Sequence, residues 1–422
     1  MLNTSLKLPF SEKQIIEATE KCTNTPFFLY SEDLIIKRSL MLQEAFKNAW
    51  IDFINHFAVK ANPNIHIVDI ISKTWMWTDC SSDFEIDLSR RLWLSWDKVM
   101  FTSNNTTESE FRNAMKIWAI INIDDISHLN SLNRVWVPEI VSCRFNPWEL
   151  KKWNKIIWSP KDIKYWSNEE DIIRIYKKLL ERWISRFGLH TMVVSDERNI
   201  EEHLWTAKML FELALKIRQE TWITMEFINL WWWIWVPYTP EQEDVDIFEF
   251  AKWVKALKDE ILESNNYRLK TIRMENWRFI TWPSWAYISK VINVAEKYKT
   301  FVWLDWWMQD FPRPWRLKTY HHVSVIWKQD ETIKKVQSLT WSLCIWSDVF
   351  ASDRELPVLV KWDIIAIHTA WAHGHATWYN YNWRTRCAEV LLKSNWKVFE
   401  IIRQKQELDD LYWWIDMTKF KK

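Results

Sequence analysis

Lys60 stands in the run Phe57-Ala58-Val59-Lys60-Ala61-Asn62-Pro63, held between small and apolar residues at what reads as a strand end. An ammonium that loses its water titrates lower and can act as a free amine toward a carbonyl, which is Schiff-base chemistry. The alternative is a strand-end lysine snorkelling to solvent. A second stretch, Trp231-Trp232-Trp233-Ile234-Trp235, follows the apolar strand Glu226–Leu230. Were these tryptophans glycine, the turn would bare backbone N–H groups that can cradle a phosphate, or it would be a tight turn and nothing more. Cys344 is either a small buried hydrophobe or a reactive thiol. His368, His373 and His375 lack a carboxylate or cysteine at ligand spacing, so no metal is expected.

These residues need elements to position them. From about residue 36 to 290, short β-branched runs (Phe53–Val59, Lys98–Thr102, Ala119–Ile123, Glu139–Arg144, Thr224–Leu230) alternate with helical patterns such as Asn199–Arg218 and Asp246–Leu262. Alternation on this scale predicts parallel βα units closed into a barrel, with the candidate chemistry at the strand ends. Ahead of it, Ser11–Ala18 reads as a short helix and Phe27–Tyr30 as a strand. After about 290 the pattern turns strand-rich, with Val302–Leu304, His322–Val325, Val358–Val360 and Ile364–His368. The expected division is an N-terminal segment 1–35 contributing to a β-domain, a barrel 36–290 and a C-terminal β-domain 291–422.

Composition bounds the possibilities. The 422 residues carry 56 basic and 55 acidic side chains, so net charge recruits no partner and nucleic acid is disfavoured. Five scattered cysteines without a CxxC pair point to a reducing cytoplasm. No stretch approaches ~18 uninterrupted apolar residues, and the first residues show no signal-peptide core, so no membrane partner is expected. The anomaly is 36 tryptophans against 2 glycines. Tryptophans occupy turn positions such as Asn276-Trp277-Arg278, Asn382-Trp383-Arg384 and Asn395-Trp396-Lys397, where the backbone favours glycine. We expect most to be glycines in the cell, the codon UGA being read as glycine in some bacterial lineages.

Several motifs carry a resemblance to a known family. Phe57–Pro63 resembles the cofactor-lysine motif of the alanine-racemase-like pyridoxal-phosphate enzymes, in the branch containing the diaminopimelate, ornithine and arginine decarboxylases. Met274-Glu275-Asn276-Trp277-Arg278 is similar to the family's Glu-Pro-Gly-Arg motif, with asparagine for proline. Arg186–Ser195 resembles the strand carrying a ring-packing imidazole and a phosphate-binding serine. Ser342–Asp348 and Asp353-Arg354-Glu355-Leu356-Pro357 are similar to the Cys-Glu-Ser-x-Asp and Asp-Arg-Glu-Leu-Pro segments of diaminopimelate decarboxylases. The runs Asp305–Met308, Arg313-Pro314, Tyr320-His321 and Tyr379–Asn382 follow in the family's order.

The resemblance implies an α/β fold: a pyridoxal-phosphate-binding (β/α)8 TIM barrel with a C-terminal β-domain. It implies Lys60 and Cys344 as catalytic residues, Lys60 holding pyridoxal phosphate covalently and Cys344 returning a proton to the substrate carbon. Cofactor contacts would come from Lys60, His190, Ser195, Trp232, Trp233, Trp235, Glu275 and Arg278. Register puts Met192, not His190, at the ring-stacking position, which leaves His190 open as a core histidine. Substrate contacts would come from Arg278, Arg313, Ile345 and His373. In the family the cysteine reaches the partner's cofactor, so a homodimer with shared active sites is implied. The activity implied is decarboxylation of meso-diaminopimelate to L-lysine. The alternatives are an ornithine, lysine or arginine decarboxylase of the same fold, or a non-catalytic homologue that binds the cofactor. Ile345 stands where diaminopimelate decarboxylases carry glutamate, Leu317 where they carry tyrosine and His373 where many carry tyrosine.

Overall fold

The computed structural model describes residues 6–135, 138–147, 164, 167–193, 197–231, 234–314, 318–370, 373–374, 376–379, 381–394 and 398–420. Ser195, Trp232, Trp233, Leu317 and His375 lie outside the described residues. The chain forms two compact units: Ile36–Trp235 with Val245–Phe279, and Met1–Ile35 with Val236–Asp244 and Ile280–Lys422.

The described chain opens with α1 (Glu12–Lys21), β1 (Phe27–Ser31) and α2 (Glu32–Asn48). Ser11 starts α1 with a capping box, its hydroxyl accepting the Gln14 N–H while the Gln14 side chain accepts the Ser11 N–H. Eight strands then build the first unit: β2 (Phe53–Ala58), β3 (Trp77–Cys80), β4 (Val99–Thr102), β5 (Ile120–Ile123), β6 (Ile140–Phe145), β7 (Arg186–Thr191), β8 (Phe227–Asn229) and β9 (Thr271–Met274). All pair in parallel in chain order, and β9 returns to β2 through Phe53↔Ile272 and Asn55↔Met274, closing the barrel.

Between the strands run α3 (Ile65–Ser72), α4 (Asp83–Arg91), α5 (Glu108–Lys116), α6 (His128–Leu132), α7 (Glu169–Leu180), α8 (Ile200–Thr221) and α9 (Ile247–Ile261). Asn64, Ser82, Thr107, Asn168, Asn199 and Asp246 cap six of them, each side chain accepting a first-turn N–H that would otherwise lack a partner. Inside the barrel Met100, Ile120, Ile140 and Phe227 pack together. Gly188 on β7 faces that cluster so closely that a Cβ would lie 2.1 Å from the Phe227 ring. No described helix is long and apolar enough to cross a membrane.

The second unit is a nine-stranded sheet. To β1 it adds β10 (Trp285–Glu296), β11 (Thr300–Leu304), β12 (Val323–Val325), β13 (Lys334–Thr340), β14 (Val349–Pro357), β15 (Ile364–His368), β16 (Ala388–Leu392) and β17 (Phe399–Arg403). The main order is β14-β13-β11-β10-β1-β16-β17, with β15 pairing both β10 and β12. Strand β1 lies between β10, antiparallel, and β16, parallel. Phe27, Leu29, Ala286, Ile288, Val390 and Leu392 line one buried face, against which Ile15 and Ala18 of α1 pack.

Two details differ from the sequence reading. Residue 290 lies inside β10, a strand buried continuously from Trp285 to Ser289. Val358–Val360, expected as a strand, is a connection after β14. The Leu359 N–H donates to Gln337 Oε1 (3.1 Å) and that of Val360 to Asp363 Oδ2 (2.7 Å), so neither is available to a strand ladder.

Candidate active site at the mouth of the barrel

Lys60 follows β2 directly, in one 3₁₀ turn over Val59–Ala61. Pro63 disfavours a helical conformation for Asn62, whose backbone is extended, and this ends the turn. The Asn62 side chain accepts the Asn64 N–H (3.2 Å), and Asn64 caps α3 through the His66 N–H (3.1 Å). Lys60 is therefore fixed between a strand and a capped helix, its side chain half-buried.

Glu275 follows β9 and is fully buried. Its N–H donates to the Trp231 carbonyl (2.9 Å), and its Oε1 accepts from Asn229 Nδ2 (2.9 Å). His190 Nε2 lies 2.9 Å from the same oxygen. These contacts follow from register, since Arg144, His190, Asn229 and Arg273 stand level on β6, β7, β8 and β9. Burial, then the charges of Arg144 and Lys60, hold His190 well below the ordinary imidazole range, so the His190–Glu275 contact is a hydrogen bond from a neutral ring.

Burial pushes Glu275 up to about 7, against the opposing pull of Lys60 and Arg144. Asp79, at the end of β3, is pushed well above its ordinary value by burial and then by Glu275. Glu85, whose Oε2 accepts the Ser81 N–H at 2.7 Å, is also raised by burial. One lysine thus interacts with three buried carboxyls. Arg144 forms a separate buried ion pair with Asp124, Nε to Oδ1 at 2.6 Å.

Trp231 is buried among these groups, with its ring centre 4.9 Å from Lys60 Nζ and edge-on to His190 at 5.7 Å. Trp235 is buried with the Arg198 guanidinium 4.4 Å over its ring. Arg278 opens a short helix, α10 (Arg278–Thr281), and lies buried 5.2 Å over the Trp277 ring.

The remaining candidates belong to the sheet unit. Arg313 is buried, donating from Nη2 to the Tyr238 hydroxyl (2.9 Å) and lying 4.6 Å over the Trp282 ring. Cys344 is exposed and Ile345 half-buried, in a loop gathered around the Asp348 carboxylate, which accepts the N–H groups of Leu343 (2.6 Å) and Met308 (3.2 Å). The Cys344 N–H is held by Asn382 Oδ1 at 3.2 Å. His373 is half-buried, its carbonyl accepting the Thr377 N–H at 2.8 Å. The barrel therefore brings Lys60, His190 and Glu275 together. It also adds Asp79 and Asn229, which sequence reasoning missed. The available signal was a carboxylate and an amide placed in otherwise apolar strands.

Residues 33–281 match the family described as pyridoxal-dependent decarboxylase, pyridoxal binding domain. Protein TabA of Pseudomonas amygdali pv. tabaci is 31% identical over 409 residues, covering 96% of this chain and 95% of that protein. The diaminopimelate decarboxylase of Methanothermobacter thermautotrophicus is 26% identical over 390 residues, covering 92% of this chain and 90% of that one. The crystal structure of diaminopimelate decarboxylase from M. jannaschii in co-complex with L-lysine matches at a TM-score of 0.85 and 25% identity, over 96% of this chain and 94% of that chain.

Pyridoxal phosphate brings an aldehyde, a ring nitrogen that takes a proton, and a phosphate. The donor set fits the first two: a lysine amine beside a buried carboxyl whose Oε2 has no donor among the described residues. One side chain does not fit, the indole of Trp231 lying against both Lys60 and His190.

Proposed function

The chain belongs to the pyridoxal-dependent decarboxylases, and from that premise we propose that its substrate is meso-diaminopimelate and its products L-lysine and carbon dioxide. Bound pyridoxal phosphate supplies an electron sink for the pair left when a carboxylate departs. Lys60 would hold it covalently through Nζ, and Glu275 would keep the proton on its ring nitrogen. A carboxyl raised to about 7 by burial would become a stable carboxylate once a cationic N–H faces it. The observation that carries this reading is the fully buried Glu275 carboxyl lying within the electrostatic reach of half-buried Lys60.

Asn229 and His190 orient Glu275 through the two bonds to Oε1, and His190 would pack beside the cofactor ring. Backbone N–H groups of residues 232, 233 and 235, with Ser195 and Arg278, would hold the phosphate. Arg278 and Arg313 would supply guanidinium groups for substrate carboxylates, and Ile345 and His373 would be further substrate contacts. Cys344 is the proton carrier, its thiol giving a proton to the substrate carbon after carbon dioxide leaves. Its exposure supports a role in a partner's site, and the reading takes the enzyme to be a cytoplasmic homodimer.

Diaminopimelate decarboxylases among the relatives, one solved with L-lysine, support this substrate. Ile345 favours a second reading, a different amino acid, because an isoleucine cannot pair with a distal ammonium. Carbon dioxide release from carboxyl-labelled meso-diaminopimelate, ornithine, lysine and arginine separates the two. The first reading expects the highest kcat/KM on diaminopimelate, with L-lysine as product. A higher value on any other substrate would overturn it.

A further inference from the structure

Eleven of the sixteen described non-glycine residues with positive φ are tryptophans: Trp50, Trp75, Trp93, Trp96, Trp118, Trp183, Trp222, Trp231, Trp327, Trp362 and Trp383, with φ from 50° to 82°. A side chain resists this left-handed region, Asn and Asp tolerate it best among the others, and a bulky ring gains nothing from it. Asn266, Asn382 and Asp353 are among the remaining five, as that rule expects.

The surroundings of these tryptophans are those of glycine. Trp50, Trp93 and Trp118 each follow the end of a helix by two positions, and Trp183 by three. Each donates its N–H to the carbonyl three residues back, and the next residue donates to the carbonyl five back. The pairs are Trp50 to Lys47 with Ile51 to Phe46, Trp93 to Arg90 with Leu94 to Ser89, Trp118 to Met115 with Ala119 to Ala114, and Trp183 to Leu180 with Ile184 to Leu179. This is the Schellman helix stop, whose left-handed position is normally glycine and whose next residue is apolar. Ile51, Leu94, Ala119 and Ile184 are apolar and buried, so every part of the motif is satisfied except the residue in the left-handed position. The indoles at 50, 93 and 183 project into solvent, about nine-tenths exposed, so no burial offsets the conformation.

Trp231 has the same backbone, φ 62°, but is buried. Its N–H donates to Asn229 Oδ1 and its carbonyl accepts the Glu275 N–H, so the backbone there is part of the site. Its indole lies against both Lys60 Nζ and His190. We propose that all eleven positions are glycine in the protein the cell makes, and that the absent side chain at 231 opens the space beside Lys60 in which the cofactor binds. The assignment at the other ten positions stands on backbone geometry alone, whereas the role of position 231 rests on the functional reading above.

Tryptic peptides of the native protein test the assignment. Residues 48–60 contain position 50, and residues 219–252 contain positions 222 and 231. Each position is expected to be lighter than printed by the mass of an indolylmethyl group, and an indole found at any of the three overturns the assignment. The role of 231 is tested on a chain with glycine wherever the digest finds it, compared with chains that differ only in retaining Trp231 or carrying Trp231→Ala. Circular dichroism and a melting curve establish folding, and absorbance follows titration with pyridoxal phosphate. Glycine and alanine at 231 are expected to bind at least tenfold more tightly than tryptophan. Equal affinity of the alanine and tryptophan chains, or of all three, overturns the proposed space. Glycine masses with no cofactor uptake by the glycine chain would refute the functional reading and the role of 231 while leaving the ten other assignments standing.

Discussion

Glu275→Gln should abolish a pH dependence of stability that the buried carboxyl imposes on the cofactor-free protein. Burial raises Glu275 from 4.5 to about 7. An acid raised in the folded state is stabilising in its protonated form. That contribution is fully present below pH 4.5 and is lost as pH rises through about 7. At about 1.4 kcal/mol per pH unit, the interval corresponds to about 3 kcal/mol, of which about 2–3 kcal/mol falls between pH 5 and pH 8. Glutamine keeps the oxygen that accepts from Asn229 and does not titrate. Asp310 and Asp348, raised to about 7 and about 6 by burial, titrate in both proteins and cancel in the difference. Asp79 loses a like-charged neighbour in the variant, which adds in the same direction. Urea unfolding at pH 5 and pH 8 measures both proteins, and the variant should gain about 2–3 kcal/mol relative to the parent across that range. A difference between the two that does not move with pH would refute the reasoning.

Three further outcomes follow from the same geometry. Cys344→Ala should leave cofactor binding unchanged and lower kcat by roughly 10²-fold or more, as loss of a proton donor does; unchanged turnover in single-turnover and steady-state assays removes the thiol from the reaction. Gly188→Ala should cost ~1–3 kcal/mol by urea denaturation, because its Cβ meets the Phe227 ring, and Phe227→Leu in the same chain should recover part of the loss. Glu226, held near 2 by Arg186, contributes stability present above pH 4.5 and lost as pH falls through about 2. Since the pair is partly exposed, Glu226→Gln should cost only ~1 kcal/mol at neutral pH and nothing at the acid limit.

The barrel was legible because its strands are short β-branched runs and its helices begin at capping residues. Asn199 and Asp246, for instance, mark the starts of α8 and α9 at the positions the pattern predicts. The sheet unit was read less completely. Strand β14 ends with Asp353-Arg354-Glu355-Leu356-Pro357, a charged run without clean alternation, whereas in the apolar Val358–Val360 the N–H groups of Leu359 and Val360 are taken by side chains. In the site, Lys60 and Glu275 stood out because each ends a strand inside a recognisable run. Asp79 and Asn229 did not, since their role depends on register across a closed barrel, which brings residues far apart in sequence to one level.

The claim that Lys60 holds the cofactor is tested most directly by borohydride reduction of the yellow holoprotein, followed by peptide mapping. A single reduced pyridoxyl adduct is expected at Lys60, on the tryptic peptide spanning residues 48–73 that stays uncleaved at the modified lysine, and it is expected to be lost in Lys60→Ala. An adduct on a different lysine, or an undiminished bound absorption band in Lys60→Ala, would contradict it.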